Sequence, residues 1–590
     1  MPSKTTTKSK GSTSKSKSTT TKRTSTSKAR KSSSTKAKAT KSKATKSAAE
    51  MTAAKDVVTT SALGSDEAVA NSAGIYAFER AEELELNFSK AFSQQFVMRR
   101  DPDFTLTNFR RARLGDWTLL TGSRMPVAQA HLEDAGLHVA FLGMGVDAEG
   151  ALVDEQVLQS KLERLRDPQA LADDLNECGG RFVFIITGPC FERLYIDPSG
   201  IMGAVYNQES GIVAATVHLA IDRPLEPTTE YPAAQIASDG SGGRWAFGYT
   251  PDRDVKRVLA NHYLDLNDYS LTRHWPTAED EFTCHMNEDV IRARLSEVIA
   301  RHKVIMNALI KSNTPAILPI TGGADSRLLL AFAKDALEDV DLFFTHKTNF
   351  NTGRDMDLAE ELAKAVGVEL TKFDLVENSD LVRPKRMCNR TYRHEKLAEG
   401  LWDEGPSPDR KKISERMVLP PGGILLRGHV TDISKAVLWQ KIGVREFERQ
   451  NGMHHDPDVG LRLLKTGDDA SACPWYHEQY NAWMDTLPEN ARRRAVDFMA
   501  LEQFRCHGLG AQFYAFTHNF YMAPGCDRKI IRLLTSIPPH LRSAYHVNDM
   551  LLEQCAPELL DVPYTRYQDN DLRETRRNFK KLLKRGPEVM

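Results

Sequence analysis

The sequence lacks any apolar run of 18 residues, and its N-terminus lacks the apolar segment of a secretory signal. Its eight cysteines include no Cys-x-x-Cys pair, which argues against a zinc ribbon, an iron–sulfur cluster or a disulfide scaffold. Net charge is absent as well, because 79 Lys and Arg balance 79 Asp and Glu. These absences predict a cytoplasmic protein with no transmembrane segment and with reduced cysteines.

The zero net charge conceals a basic tail and an acidic body. Residues 1–55 hold 16 Lys or Arg and a single acid, Glu50, so the rest of the chain carries an excess of acids. Residues 1–47 contain 25 Ser or Thr and almost no large apolar side chain, which predicts a disordered tail over residues 1–70. The spaced lysines fit binding of nucleic acid or another polyanion through residues 1–55, with counterion release as the driving force. A solubilising extension with no specific partner fits them equally well.

Short apolar segments separated by turn signals occupy residues 75–250. Hairpin signals stand at 188–190 and 208–210, and a charged helical stretch spans about 154–176. The segments that read as strands are 116–122, 138–144, 181–187, 191–197, 201–207 and 211–216. This pattern predicts an α+β domain built on an antiparallel meander.

Residues 314–327 contain the motif with the most chemical information. A buried strand at 315–320 leads through Thr-Gly-Gly-Ala-Asp-Ser (321–326) into a helical pattern at 327–337. A glycine turn before a helix can bind phosphate, because unpaired N–H groups and the helix dipole face it. Asp325 repels phosphate, so it is predicted to hold Mg²⁺ against one. No Gly-Lys-[Ser/Thr] follows, so the turn is not a Walker A loop; an ordinary strand–helix connection is the alternative.

The motif resembles the PP-loop, Ser-Gly-Gly-x-Asp-Ser, of the ATP pyrophosphatases. Over about 110–565 the chain further resembles asparagine synthetases, β-lactam synthetases and lasso-peptide cyclases. Residues 180–207 resemble the family's glutaminase strands, 355–367 a family helix, 424–433 the second phosphate motif and 522–531 the late Pro-Phe-Leu-Asp segment. The matching positions outside the PP-loop are Gly180, Phe182, Asp197, Gly200, Gly428, Asp432, Pro524 and Asp527.

The resemblance implies two folded domains. The first, at 75–250, is an α+β antiparallel sheet domain of the N-terminal-nucleophile type; the second, at 255–567, is an α/β PP-loop domain with extra helices. The glutaminases of the family use an N-terminal Cys, whereas residue 2 here is Pro and the first cysteine is Cys178. The first domain is therefore predicted to be a degenerate, structural relative. Residues 568–590 add a basic C-terminal segment with helical pattern.

The resemblance also implies an activity. A carboxylate attacks the α-phosphate of ATP with Mg²⁺ present, pyrophosphate leaves, and an amine or ammonia takes the acyl group from the adenylate and releases AMP. Asp325 and Asp432 would share the Mg²⁺. The positions expected to bind the nucleotide are Leu318, Thr321, Gly322, Gly323, Asp325, Ser326, Phe344, Thr345 and Gly428, and the expected catalytic positions are Arg427, His429 and Asp432.

Two departures from the family pattern leave alternatives open. His429 stands where the family has Glu, and it is either a base for the amine or an ordinary loop histidine. The family's late Lys is missing from 543–553, and Arg427, Lys435 and Lys529 are the candidates to replace it. Two other functions also fit: a PP-loop enzyme that acts on tRNA, and an inactive nucleotide-binding protein tethered to a polyanion by its tail.

Overall fold

The computed structural model describes residues 74–230, 245–282, 286–347, 350–374, 393–398, 400, 418–439, 460–461 and 474–565. All of them belong to one compact unit, Thr60–Met590. The predictions of a disordered tail at 1–70, of its polyanion partner and of a basic helix at 568–590 lie outside these residues. Within the described ranges, every helix is too short or too polar to cross a membrane.

Among the described residues, twelve strands of the N-terminal part form two six-stranded antiparallel sheets. The strands are β1 (Phe96–Arg99), β2 (Phe109–Leu114), β3 (Trp117–Gly122), β4 (Val127–Leu132), β5 (Leu137–Val146), β6 (Gly179–Gly188), β7 (Phe191–Ile196), β8 (Val205–Asn207), β9 (Ile212–Ala214), β10 (Val255–Arg257), β11 (His262–Asp265) and β12 (Leu271–Arg273). The first sheet has the order β10-β8-β9-β1-β3-β2 and the second β12-β11-β7-β6-β5-β4. The sequence predicted a single meander, but its six segments are divided between the two sheets: β3, β8 and β9 lie in the first, and β5, β6 and β7 lie in the second.

The two sheets and their helices form four layers. Apolar side chains such as Trp117 of the first sheet and Ile185 of the second pack together between the sheets. Helices α1 (Tyr76–Glu83) and α2 (Phe88–Ala91) contribute to a second core with the outer face of the first sheet. Helices α3 (Glu155–Leu165) and α4 (Pro168–Asn176) cover the second sheet in the same way. Each amphipathic element thus buries its apolar face against a neighbouring layer.

A five-stranded parallel sheet follows. Its strands are β13 (Ala316–Pro319), β14 (Leu342–Lys347), β15 (Thr371–Asp374), β16 (Ile424–Leu426) and β17 (Phe520–Met522), in the order β15-β14-β13-β16-β17. Every neighbouring pair in it is parallel. The sequence-based prediction of mixed α and β structure, with antiparallel strands preceding a parallel strand, is confirmed at this level. The carboxyl ends of all five strands therefore lie at one edge, where ligands of open α/β sheets bind.

Helices surround the parallel sheet. They are α5 (Glu288–Ile310), α6 (Ala324–Phe332), α7 (Phe350–Val366), α8 (Pro474–Thr486), α9 (Glu489–Arg492), α10 (Ala495–Met499), α11 (Cys506–Gln512), α12 (Arg528–Ser536), α13 (Pro539–Arg542) and α14 (His546–Cys555). A π-helical segment, Ala500–Arg505, joins α10 to α11. Short 3₁₀ turns occur at Glu133–Ala135, Val217–Leu219, Lys334–Asp339, Thr431–Lys435, Phe513–Ala515, Ser543–Tyr545 and Pro557–Leu560.

A buried ion pair joins the antiparallel sheets to the helices of the parallel sheet. Arg301 of α5 donates from Nε to Asp527 Oδ2 at 2.7 Å. Its other guanidinium nitrogens donate to main-chain oxygens of Val146, Asp147 and Glu177. Asp527 also caps α12 by accepting the Ile530 N–H. The structure therefore places Asp527, which matches the family's late segment, in a structural contact.

Candidate nucleotide-binding site

The turn 320–323 connects β13 to α6 and is closed by its own hydroxyl groups. Ser326 Oγ lies 2.8 Å from Thr321 Oγ1 and accepts the Thr321 N–H at 3.1 Å. The Gly323 N–H donates to Thr321 Oγ1 at 3.3 Å. Gly323 is the N-cap of α6, and no side chain among the described residues caps this helix start. Helix starts of this kind can bind anions through their first N–H groups.

Gly322 packs against the C-terminal end of the described chain. A Cβ on Gly322 would lie 2.1 Å from Thr565 Oγ1 and 2.8 Å from Leu358 Cδ1. The Thr565 N–H donates to the Gly322 carbonyl at 3.1 Å. Arg327, fully buried in α6, fixes the preceding segment by donating to main-chain oxygens of Leu559, Val562 and Pro563. This contact joins residues more than 200 positions apart, so no local pattern in the sequence announces it.

Two carboxylates follow the neighbouring strands β13 and β16, and each is paired with a cation. Asp325, in the first turn of α6, lies 2.6 Å from Lys435 Nζ. Asp432 accepts a hydrogen bond from Arg505. Lys435 and Asp432 both belong to the loop 427–435 that follows β16. Gly428 permits this approach, because a Cβ there would lie 2.6 Å from Asp325 Cβ.

The charges around the two carboxylates shift their pKa values in opposite directions. Burial raises the pKa of Asp325; Lys435 opposes the rise and Asp432 adds to it. Burial also acts to raise the pKa of Asp432, but Arg505 and Lys435 outweigh it and hold that pKa below its usual range. Asp432 is therefore the more firmly ionised of the pair. A cation that binds both carboxylates would relieve their mutual repulsion.

His429 lies in the same loop in an environment that disfavours its charged form. Burial first, and then Arg427, lowers the pKa of His429 to about 3. Its ring meets Phe513 edge-on, with 5.1 Å between centroids. A histidine with so low a pKa is a weak base, so its surroundings do not favour the predicted deprotonation of an amine. The guanidinium of Arg427 lies 6.0 Å from the ring centroid of Tyr521.

Three of the positions expected to bind the nucleotide lie on neighbouring strands: Leu318 on β13, and Phe344 and Thr345 on β14. The Ile320 N–H donates to the Phe344 carbonyl at 2.8 Å, which holds the start of the turn against β14. Leu318 and Phe344 are fully buried and support this edge from behind. Thr345 is also buried, and its Oγ1 has no hydrogen-bond partner among the described residues. Of the three, Thr345 alone offers an unused polar atom.

The structure separates the three candidates for the family's missing lysine. Lys435 contacts Asp325, and Arg427 lies in the same loop. Lys529 instead pairs with Glu297 on an exposed face of α12, 3.7 Å away. Arg505 was missed by sequence reasoning, because it lies 73 residues beyond Asp432 at the end of the π-helical segment. An irregular helix of this kind often occurs at a functional site, but its sequence carries no simple signal.

Three of the described cysteines are buried and therefore poorly placed to act as a glutaminase nucleophile. Burial raises the pKa of the thiols of Cys178, Cys506 and Cys526. Residues 93–95, which lead into the central strand β1, are Ser-Gln-Gln and are buried. Gln95 is fixed there, accepting from Thr216 Oγ1 at 2.6 Å and donating to the Ala398 carbonyl at 2.9 Å.

Comparison with known proteins gives no family: no family model and no curated protein matches this chain. The assignment of function therefore depends on the residues and geometry described above.

Proposed function

We propose that this protein is an ATP-dependent, AMP-forming ligase that joins a carboxylate to an amine or ammonia. The proposal rests on one observation. The turn Thr-Gly-Gly-Ala-Asp-Ser joins a central parallel strand to an uncapped helix start, directly beside a second loop that carries Asp432 and two cations. This combination supplies N–H donors for phosphate, carboxylates for a metal and cations for a leaving pyrophosphate.

The finer fold assignment belongs to the same proposal. The four-layered part corresponds to the N-terminal-nucleophile type, and the part around the parallel sheet corresponds to the PP-loop type. The buried thiols and the Ser-Gln-Gln sequence before β1 support a first domain that does not hydrolyse glutamine. The amine would then come from solution or from a second substrate.

The residues around the two carboxylates suit Mg²⁺. Mg²⁺ prefers oxygen ligands and is commonly held by one or two carboxylates together with water and phosphate oxygens. Asp325 and Asp432 offer such oxygens, and Thr431 Oγ1 lies 3.4 Å from Asp325 Oδ1. A bound Mg²⁺ would neutralise charge on the phosphates. Lys435 and Arg505, which pair with the carboxylates here, would then be available to the phosphate chain.

Each role in the reaction follows from charge and position. The carboxylate of the acyl substrate attacks the α-phosphorus of ATP, and the bond to the bridging oxygen breaks, so that pyrophosphate leaves. Thr321, Ser326 and the first N–H groups of α6 would hold the departing oxygens. The amine then attacks the acyl carbon, loses a proton and displaces AMP. The basicity of His429 is too low for the base in this step, which leaves solvent or a substrate group to accept that proton.

Product analysis tests the proposal. The full-length protein is incubated with ATP, Mg²⁺ and a pool of amino acids that contains ammonium, and AMP with pyrophosphate is measured against ADP with phosphate. We expect AMP and pyrophosphate, and their loss in Asp325→Ala. Asp335→Ala is the matched control, because Asp335 pairs with Lys303 on the surface.

Two outcomes would contradict the proposal. Formation of ADP and phosphate would place the attack at the γ-phosphate instead. AMP formation that persists in Asp325→Ala would show that the turn is not the reacting site. Omitting amino acids one at a time from an active pool would then identify the acyl substrate.

A further inference from the structure

Two buried polar atoms beside Asp432 have no hydrogen-bond partner among the described residues. They are Nη1 of Arg505 and Nδ1 of His429. The Arg505 side chain is only 11% exposed, and its other terminal nitrogen, Nη2, donates to Asp432. One half of the guanidinium is therefore fixed by a carboxylate, while the other half is buried without an acceptor.

The structure holds both side chains in place, so the unused atoms do not result from loose packing. The His429 ring is fixed by edge contact with Phe513. Arg505 ends the π-helical segment, in which Glu502 is anchored by two hydrogen bonds from Arg273. Leaving a buried donor unsatisfied costs roughly 1–3 kcal/mol, and more when the donor is charged. Two such atoms in the surroundings of Asp432 indicate that an acceptor is supplied from outside the described residues.

We propose that Arg505 Nη1 and His429 Nδ1 form an anion subsite that binds an oxygen of the nucleotide's phosphate chain. His429 acts there as a neutral donor in its Nδ1–H tautomer. This inference rests on the proposed function and deepens it, because it names the residues that do the work of the family's late lysine. It also gives His429 a role that its low basicity permits.

Phosphate fits this subsite better than the carboxylate of the acyl substrate. The phosphate-binding turn and the loop 427–435 follow adjacent strands, β13 and β16. Arg505 donates to Asp432. Lys435 lies close enough to influence Asp432 and pairs with Asp325, which is in the first turn of α6 after the phosphate-binding turn. The Nη1 donor of Arg505 therefore lies next to the residues that are proposed to bind the phosphates. The phosphate chain and the substrate carboxylate both offer an anionic oxygen, so the experiment includes a probe for each of them.

Calorimetric titration of the full-length protein tests the subsite by binding rather than by turnover. The probes are Mg²⁺-pyrophosphate and an ATP analogue whose α–β bridging oxygen is a methylene group; the mixed amino-acid pool without nucleotide is the carboxylate arm. All variants keep the basic tail, so a difference between them reports the site. For Arg505→Met we expect an affinity for both phosphate probes about 10- to 100-fold weaker than wild type, as for loss of a charged hydrogen bond.

Conservative variants separate this role from a structural one. Arg505→Lys can keep the contact with Asp432, but its single nitrogen cannot also occupy the position of Nη1, so it should fold normally and still bind pyrophosphate several-fold more weakly. His429→Phe should lose affinity, and His429→Asn, whose amide can replace Nδ1–H, should recover it. Arg493→Gln, an exposed arginine outside the site, is the matched control. Thermal unfolding of each variant shows whether the fold is retained.

The outcomes distinguish this inference from the function on which it rests. If wild type binds the phosphate probes and the folded Arg505 and His429 variants bind them equally well, the subsite is wrong and the ligase proposal stands. If the variants lose affinity only for the amino-acid pool, the subsite binds the substrate carboxylate and not phosphate. If wild type binds neither phosphate probe, the proposed function fails and the subsite fails with it.

Discussion

At the scale of single residues, Gly322 and Gly323 are adjacent in the phosphate-binding turn but differ in what surrounds them. A Cβ on Gly322 would meet Thr565 Oγ1 at 2.1 Å, whereas one on Gly323 would meet only Thr321 Oγ1 at 3.3 Å. We expect Gly322→Ala to lower the free energy of unfolding by about 1–3 kcal/mol, as overpacking does, and Gly323→Ala to change it little. Urea unfolding of the two variants measures the difference, and equal losses would contradict the packing of 565 on the turn.

Substitutions at Gly322 and Gly323 should affect stability and ligand binding differently. Gly323 caps α6 beside the N–H groups that are proposed to bind phosphate. A methyl group on Gly323 would keep a phosphate away from the main chain, so Gly323→Ala should weaken pyrophosphate binding while leaving the unfolding curve unchanged. Calorimetric titration with Mg²⁺-pyrophosphate is the measurement. Unchanged affinity would show that the phosphate does not approach the turn at this residue.

At the scale of elements, the π-helical segment is held by a buried network around Glu502. This carboxylate accepts two hydrogen bonds from Arg273, at 2.7 and 2.8 Å, one from Trp483 Nε1 at 2.7 Å and one from Asn261 at 3.0 Å. Burial would raise the pKa of Glu502, but Arg273 and its other partners hold it below its usual range. The network therefore stabilises the fold above the pKa of an unfolded glutamate and loses that effect as the solution becomes acidic.

Removal of the negative charge of Glu502 should destabilise the fold. In Glu502→Gln, the buried Arg273 loses its counter-charge, which typically lowers the free energy of unfolding by about 3–5 kcal/mol. Chemical denaturation at neutral pH measures it, with the exposed Glu489→Gln as control. Because Arg505 ends the same segment, Glu502→Gln should also weaken pyrophosphate binding. A variant as stable as wild type would mean that the network does not hold the segment.

Local patterns predicted those elements whose pairing partners are near in sequence. The hairpin signals at 188–190 and 208–210 marked β6 with β7 in the second sheet and β8 with β9 in the first. The first sheet was missed as a sheet, because β1 is only four residues long and the arginine-rich β2 lacks clear alternation. The helix after the phosphate turn begins at Ala324 and ends at Phe332, earlier at both ends than the apolar pattern indicated.

Within the candidate site, too, features formed by consecutive residues could be predicted from the sequence, and features formed by distant segments could not. The turn 320–323 could be predicted, because strand, glycines and helix are contiguous. The contacts of Asp432 with Arg505 and of Gly322 with Thr565 could not, since tertiary packing alone brings these segments together. His429 lies three positions before Asp432 in the sequence, but its low pKa follows from burial and from Arg427, which composition does not reveal.

At the scale of the whole molecule, several buried histidines make stability depend on pH. Burial lowers the pKa of each of four histidines to about 4: His218, His262, His302 and His540. An unfolded histidine binds its proton near pH 6.5, so the unfolded state gains protons first as the pH falls. As the pH falls from roughly 6.5 to 4, each of the four histidines should therefore lower the free energy of unfolding by about 1.4 kcal/mol per pH unit.

Thermal unfolding from pH 7.5 to 4.5 tests this coupling. We expect the midpoint to be nearly constant above pH 7 and to fall steeply below pH 6.5. His302 stacks on Phe332 of α6 with 4.2 Å between ring centroids. His302→Gln should reduce the decrease of the unfolding midpoint with falling pH by about the contribution of one histidine. The solvent-exposed His131→Gln is the control and should leave the slope unchanged. A midpoint independent of pH would mean that these rings are hydrated.

The charge asymmetry of the chain gives the last prediction. Residues 1–55 carry 16 Lys or Arg against one acid, so removal of residues 1–60 should abolish salt-dependent binding of tRNA in a gel shift. AMP formation from amino acids should persist in the truncated protein, because the site lies between 316 and 565. If AMP formation instead required tRNA and disappeared with the tail, the protein would be a PP-loop enzyme acting on tRNA. Binding of tRNA without any effect on turnover would make the tail a tether for the enzyme, because the polyanion would then take no part in the reaction.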